Sequence, residues 1–108
     1  MGWSAFAPQG KSLTIAVTTA SSTPLQCPSG GNTAAINYRV SNASAQGCFL
    51  AHGPNSGIFA EIGVAGAQTR GQWIPGNSTE VFTYGAGSWF AAIGAAATTL
   101  YITPGDGL

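Results

Sequence analysis

Apolar and polar residues alternate along most of this chain, and a period of two is the signature of β-strands with one buried face. Over Ser12 to Thr19, Leu13, Ile15 and Val17 fall on one face and Thr14, Ala16 and Thr18 on the other. Over Ala34 to Asn42, Ile36, Tyr38 and Val40 oppose Asn37 and Arg39. Ile58 to Ala65 repeats the pattern, with Ile58, Ile62 and Val64 opposite Phe59 and Glu61. Thr79 to Tyr84, Ser88 to Ile93 and Thr98 to Thr103 add three strands. Gly47 to His52 reads as a short strand, and Gln72 to Pro75 as a shorter one that Pro75 confines to an edge. No window sustains the helical period.

About seven to eight closely spaced strands predict an all-β, antiparallel sandwich or barrel. Turn chemistry fills the gaps at Pro28 to Asn32, Gly53 to Gly57, Pro75 to Ser78 and Gly85 to Gly87, where glycine supplies positive φ and proline a fixed one. The terminal Pro104-Gly105-Asp106-Gly107 reads as a further turn. Alanine-rich Ala91 to Ala97 suits a helix by propensity, but Gly94 and the β-branched residues on both sides favour strand, turn and strand. Residues 1–11 are too irregular for a strand and form an N-terminal arm ahead of a single β-domain over 12–108. That arm carries Trp3 and Phe6, whose rings either fold back onto the sandwich or dock on a neighbouring subunit.

Composition narrows the function. Of 108 residues, 44% are hydrophobic, enough for one modest core. Only 6% are charged, against roughly 25% in ordinary domains. Lys11, Arg39 and Arg70 balance Glu61, Glu80 and Asp106 to a net charge of zero. Three cations cannot build the positive stripe that phosphate neutralisation needs, so no nucleic-acid partner is expected. An electrostatic membrane contact fails for the same reason. The longest apolar run, Trp89 to Ala97, falls far short of the ~20 residues of a membrane span. Nor do the first residues read as a signal peptide, because the first cation is Lys11 and the segment after it is broken by Thr14, Thr18 and Thr19. Phe6 stands where a myristoylation pattern wants Ser or Thr. The expected place of synthesis is a reducing cytoplasm.

Groups suited to catalysis are few. Cys27 and Cys48 have no metal-like spacing and read as two free thiols, one in a loop beside Pro28 and one in a strand, with a disulfide as the alternative. His52, the sole histidine, lies four residues after Cys48, so on a strand the two share a face, as a dyad or two metal ligands would. The simpler reading is a small buried thiol and a residue near a turn. No G-x-S-x-G elbow, dinucleotide fingerprint or phosphate loop is present. Asn42-Ala43-Ser44 and Asn77-Ser78-Thr79 match glycosylation acceptors but fit turn residues equally. Aromatics remain. Trp73 sits in an edge segment and Trp89 opens a strand; each is either core, a sugar-stacking face or an interface anchor. Neither catalysis nor a cofactor is expected.

Four stretches carry a resemblance: Tyr38-Arg39-Val40-Ser41-Asn42-Ala43, Ile74 to Phe82, Trp89-Phe90-Ala91-Ala92-Ile93, and Thr98 to Leu108. They resemble the small virion proteins of tailed bacteriophages often encoded beside the major capsid protein. In that group such chains are capsid decoration, or cement, proteins: jelly-roll or related sandwiches that sit as trimers outside the head and brace neighbouring capsomers. The likeness spans residues 36 to 108 and leaves out the arm. It implies a jelly-roll-like β-sandwich, a homotrimer, the major capsid protein as partner, and a place on the outer capsid surface of the virion. It carries over no catalytic residue. Within that expectation Trp3 and Phe6 are arm anchors, Arg39 and Arg70 ion-pair partners for capsid carboxylates, and Trp73 an interface aromatic. Strands punctuated by Pro-Gly turns also occur in tail-fibre and spike domains, so a knob that binds host glycans through surface aromatics is the alternative.

Overall fold

The computed structural model describes residues 7–8, 12–27, 36–63, 66, 68 and 71–106. Among these the chain is all-β, with strands β1 (Ala7–Pro8), β2 (Leu13–Val17), β3 (Leu25–Gln26), β4 (Ile36–Asn42), β5 (Cys48–Gly53), β6 (Gln72–Ile74), β7 (Ser78–Tyr84), β8 (Trp89–Ile93) and β9 (Thr98–Asp106). They form two antiparallel sheets. In the first, β9 lies between β4 and the pair β1 and β2, with β7 beyond β4; the second runs β3-β8-β5-β6.

The winding is that of a jelly roll. Ala7 pairs with Asp106 and Leu13 to Val17 with Ile102 to Thr98, so β1 and β2 act as one interrupted edge strand along β9. Counted so, the partners nest from the outside inwards: β1 and β2 with β9, β3 with β8, β4 with β7, and β5 with β6. Successive pairs fall in alternate sheets, which is the result of rolling one long antiparallel ribbon into a sandwich. The expected jelly-roll-like β-sandwich is therefore the fold found.

The alternation read from the sequence becomes the core. Ile15 and Val17, Ile36, Tyr38 and Val40, Cys48 and Leu50, Phe90 and Ala92, and Leu100 and Ile102 all point between the sheets. Each large apolar side chain so buried contributes about 1.5–3 kcal/mol. The segment after Val17 crosses from the first sheet to the second. Thr18 O accepts from Gly94 N at 2.9 Å, Ser22 N donates to Ala92 O at 2.9 Å, and Ser22 Oγ accepts from Ala92 N at 2.9 Å. Serine thus satisfies the backbone of β8 where regular pairing lapses.

Four local expectations are corrected. Residues 58–63 form no strand, and Val64 and Ala65 lie outside the described residues. β6 flanks β5 along Cys48 to Leu50 and β8 flanks it along Phe49 to Gly53, and the segment instead crosses the outer face of the second sheet. Ala60 N donates to Ser21 Oγ at 3.0 Å, and a Cβ on Gly53 would sit 2.3 Å from Ile58 Cγ2. The outward pair Ala51 and Ala91 beneath is only 7% and 0% exposed. Ala60 is the buried residue of this strap, while Ile62 is 40% exposed. Second, β3 was not foreshadowed by any alternation. Third, β9 runs on through Pro104 to Asp106 where a turn was expected. Pro104 lies opposite Tyr38 of β4, between Gly105, which pairs with Pro8, and Ile102, which pairs with Leu13. Fourth, Ala7 and Pro8 of the expected irregular arm belong to the sheet.

Candidate functional site

Of the residues expected to form an interface, Trp3, Phe6 and Arg70 lie outside the described residues. Arg39 and Trp73 are described, and they occupy opposite sides of the sandwich. Arg39 alternates with buried Tyr38 and Val40, so it stands half-buried on the outer face of the first sheet between Val81 and Thr103. Trp73 precedes buried Ile74 and faces outward from the second sheet, 47% exposed. One flat partner cannot cover both.

Trp73 is held in place. Its ring centroid is 5.0 Å from that of its cross-strand partner Phe49, and its six-membered ring lies over Gly47, where a Cβ would come within 2.3 Å of Cη2. Glycine at 47 lets the indole lie down on the sheet. A ring fixed in this way loses little rotamer freedom on binding, a property of interface anchors.

A second aromatic group closes the open edge of the sandwich. By their register with Ile36 and Tyr38, Tyr84 and Phe82 of β7 point inward. His52 of β5 reaches across from the other sheet and stacks on Tyr84 at 3.7 Å and 19°, while Phe82 stacks at 5.7 Å and 8°. Partial loss of water lowers the His52 pKa and raises that of Tyr84, so near neutral pH the imidazole is uncharged and the phenol intact. Beside this column, where β6 ends, opens a cleft of about 440 Å³ lined by Leu50, His52, Ile58, Phe59, Gln72 and Tyr84 among others. Sequence reasoning paired His52 only with Cys48. Nothing in the sequence links it to Tyr84, which becomes its neighbour only through the stacking of two sheets.

Cys48 and His52 do share a face of β5, but that face leads from the core to its mouth. Cys27 and Cys48 are free and buried. Burial pushes each thiol up to about 11, the reverse of the shift that activates a cysteine. Ellman's reagent at pH 8 should leave both unmodified in the native protein and titrate both after denaturation. The unfolded chain releases these protons near 9 and the folded one near 11, so stability should fall as pH rises through that window. Rapid native labelling would contradict the burial. Among the described residues no group of three or more His, Cys, Asp or Glu could hold a metal ion.

The glycosylation-like triplets resolve into turn devices. Asn42 is buried, its Nδ2 donating to Gln46 O at 2.8 Å and its Oδ1 accepting from Ser44 N at 3.0 Å. Asn77 holds φ 53° in the turn before β7, a left-handed conformation that asparagine tolerates.

Comparison with protein-family models, curated proteins and solved structures found no match. Fold and site together define a class: a charge-poor jelly-roll sandwich with a fixed aromatic platform on one outer face and, at one edge, a cleft whose described lining residues carry no charge.

Proposed function

We propose that this chain is a structural protein of a bacteriophage virion, a decoration or cement protein that binds the outer capsid surface as a homotrimer and stabilises the head. The observation that carries the reading is the platform of Trp73, Phe49 and Gly47 on the outer face of a jelly-roll sheet. A fixed, half-exposed indole on a nearly uncharged surface suits a broad interface with few ionic contacts, where hot spots fall on aromatics. The low charge fits the same role. A domain of zero net charge is prone to self-association when free, and a surface shared with neighbouring subunits is covered in its working state.

Stabilisation would act by linkage. A protein that binds only the intact shell raises its stability with the logarithm of free concentration over Kd. Heads assembled from the major capsid protein of the same genome should therefore melt at a higher temperature when the chain is added, saturably, and return to the lower value when it is stripped. Trp73→Ala should weaken binding by about thirtyfold, the effect of a 2 kcal/mol hot spot. Identical melting with and without the chain would refute the role.

A further inference from the structure

The two buried cysteines belong to the same sheet but are held at opposite ends of it. Cys27 follows β3, and its N–H donates to Ser88 O at 2.9 Å, which places it level with the residue just before β8. Cys48 opens β5, where the pairing of Phe49 with Ile93 puts it level with Gly94, just past the other end of β8. A Cβ on Gly94 would stand 3.5 Å from Cys48 Cβ. Ser88 and Gly94 are six positions apart, so an extended backbone separates the two levels by roughly 20 Å. β3 and β5 also flank β8 on opposite sides, which adds about 10 Å across the sheet. A disulfide needs its Cα atoms about 4.4–6.8 Å apart. No side-chain rotation closes such a gap, so a bond between Cys27 and Cys48 is incompatible with the sandwich.

The unfolded chain imposes no such separation. There the two residues are 21 positions apart in sequence, and closing a loop of that size costs little more than closing a shorter one. Reactivity follows the same division, because the thiolate is the form that reacts. In the unfolded chain the thiols ionise near 9, whereas burial in the core holds both protonated well above that. Oxidation is thus favoured in the unfolded chain, and its product is confined there. Anything that holds only the unfolded state draws the equilibrium towards it. The ring so closed contains the whole of β4, whose Ile36, Tyr38 and Val40 belong to the core.

We infer that the cysteine pair makes folding a redox-gated step: the reduced chain forms the sandwich and shields its thiols, and an intramolecular Cys27–Cys48 disulfide, once formed, bars the fold until it is reduced. In the closing step the two thiols lose two protons and two electrons to an oxidant such as a diazenedicarboxamide, which becomes the hydrazine. A dithiol reductant reverses it by exchange, its own two sulfurs ending as a disulfide. The device rests on the register of β8 and is independent of the virion role.

The test is refolding with and without diamide, at a dilution that suppresses bonds between chains. Chain unfolded in urea and treated with diamide should become a monomer lighter by two hydrogen atoms, and on removal of urea it should show none of the near-ultraviolet circular dichroism of the native protein. Dithiothreitol should then restore the full signal. Native protein given the same diamide should stay reduced, and its oxidation should quicken in proportion to the unfolded fraction as urea is raised. Cys48→Ala cannot close the ring and should refold equally well with diamide and without it; Cys27→Ala makes the same comparison from the other end. Native dichroism in the disulfide-closed monomer, an unfolded chain that diamide does not close, oxidation as fast in the native protein as in the unfolded one, or a signal that dithiothreitol fails to restore would each overturn the inference.

Discussion

Truncating Tyr38 to alanine should remove about 3–5 kcal/mol of stability, the range for deleting a large buried ring. A domain of this kind holds only about 5–15 kcal/mol in total, so the variant should be close to unfolded at room temperature. Tyr38 has no exposed surface and sits at the centre of β4. Its ring meets Phe90 edge-on at 5.2 Å and Tyr84 at 6.0 Å, which joins the two sheets to the column at the open edge. Its hydroxyl donates to Gly85 O at 2.8 Å and accepts from Ser88 N at 3.3 Å, holding the turn between β7 and β8. Tyr38→Phe separates the two roles. Gly85 O keeps a second donor, Ser88 Oγ at 2.6 Å, so only the Ser88 N–H is orphaned and the loss should be about 1 kcal/mol. Urea denaturation of both variants reads the difference. A phenylalanine variant as unstable as the alanine one would show that the hydroxyl, and not the packing, is what holds the core.

Tyr38 is legible as a core residue in the sequence because β4 obeys a strict period of two, and the strand is buried on alternate residues along its whole length. β2 and β9 were legible for the same reason. Where a segment's fate depends on what lies beside it, periodicity is silent. Residues 58–63 alternate as well as β2 does, yet β5 pairs with β6 and β8 instead, and the small pair Ala51 and Ala91 offers the segment a flat bed. The corner at Thr18 to Pro24 and the short β3 are fixed by hydrogen bonds to Ala92, Gly94 and Ser88, seventy or so residues away along the chain, which no local pattern reports.

The candidate site divides along the same line. The sequence leaves Trp73 open between core and surface: Pro75 marks its segment as an edge, and only the structure shows that Ile74 takes the core-facing position. The cleft was not readable, because it exists only where a three-residue β6 lies beside a six-residue β5 and where Tyr84 of the other sheet forms its inner wall. Even the one correct inference about His52, that it shares a face with Cys48, gave no hint that the face ends in solvent.

Asn42→Ala should be the most damaging polar substitution, at about 2–4 kcal/mol, because a single buried amide serves three partners. Its Oδ1 accepts from Thr98 Oγ1 at 2.9 Å and from Ser44 N at 3.0 Å, and its Nδ2 donates to Gln46 O at 2.8 Å. The end of β4, the following loop and the start of β9 are thereby fixed to one another. The loop in turn receives the next turn: Asn77 N donates to Ser44 O at 2.8 Å, and Gly76 lies so close that a Cβ would stand 2.1 Å from Ala45 O. Displacing the loop therefore disturbs the entry to β7 as well. Thr98 is itself buried, so alanine at 42 leaves its hydroxyl with neither partner nor water. Removing that hydroxyl too should relieve part of the penalty, making the Asn42→Ala, Thr98→Val double variant more stable than Asn42→Ala alone, with a coupling of about 1–2 kcal/mol. Simple addition of the two single losses in urea denaturation would show that the two side chains act separately, and that the loop is held by its backbone contacts alone.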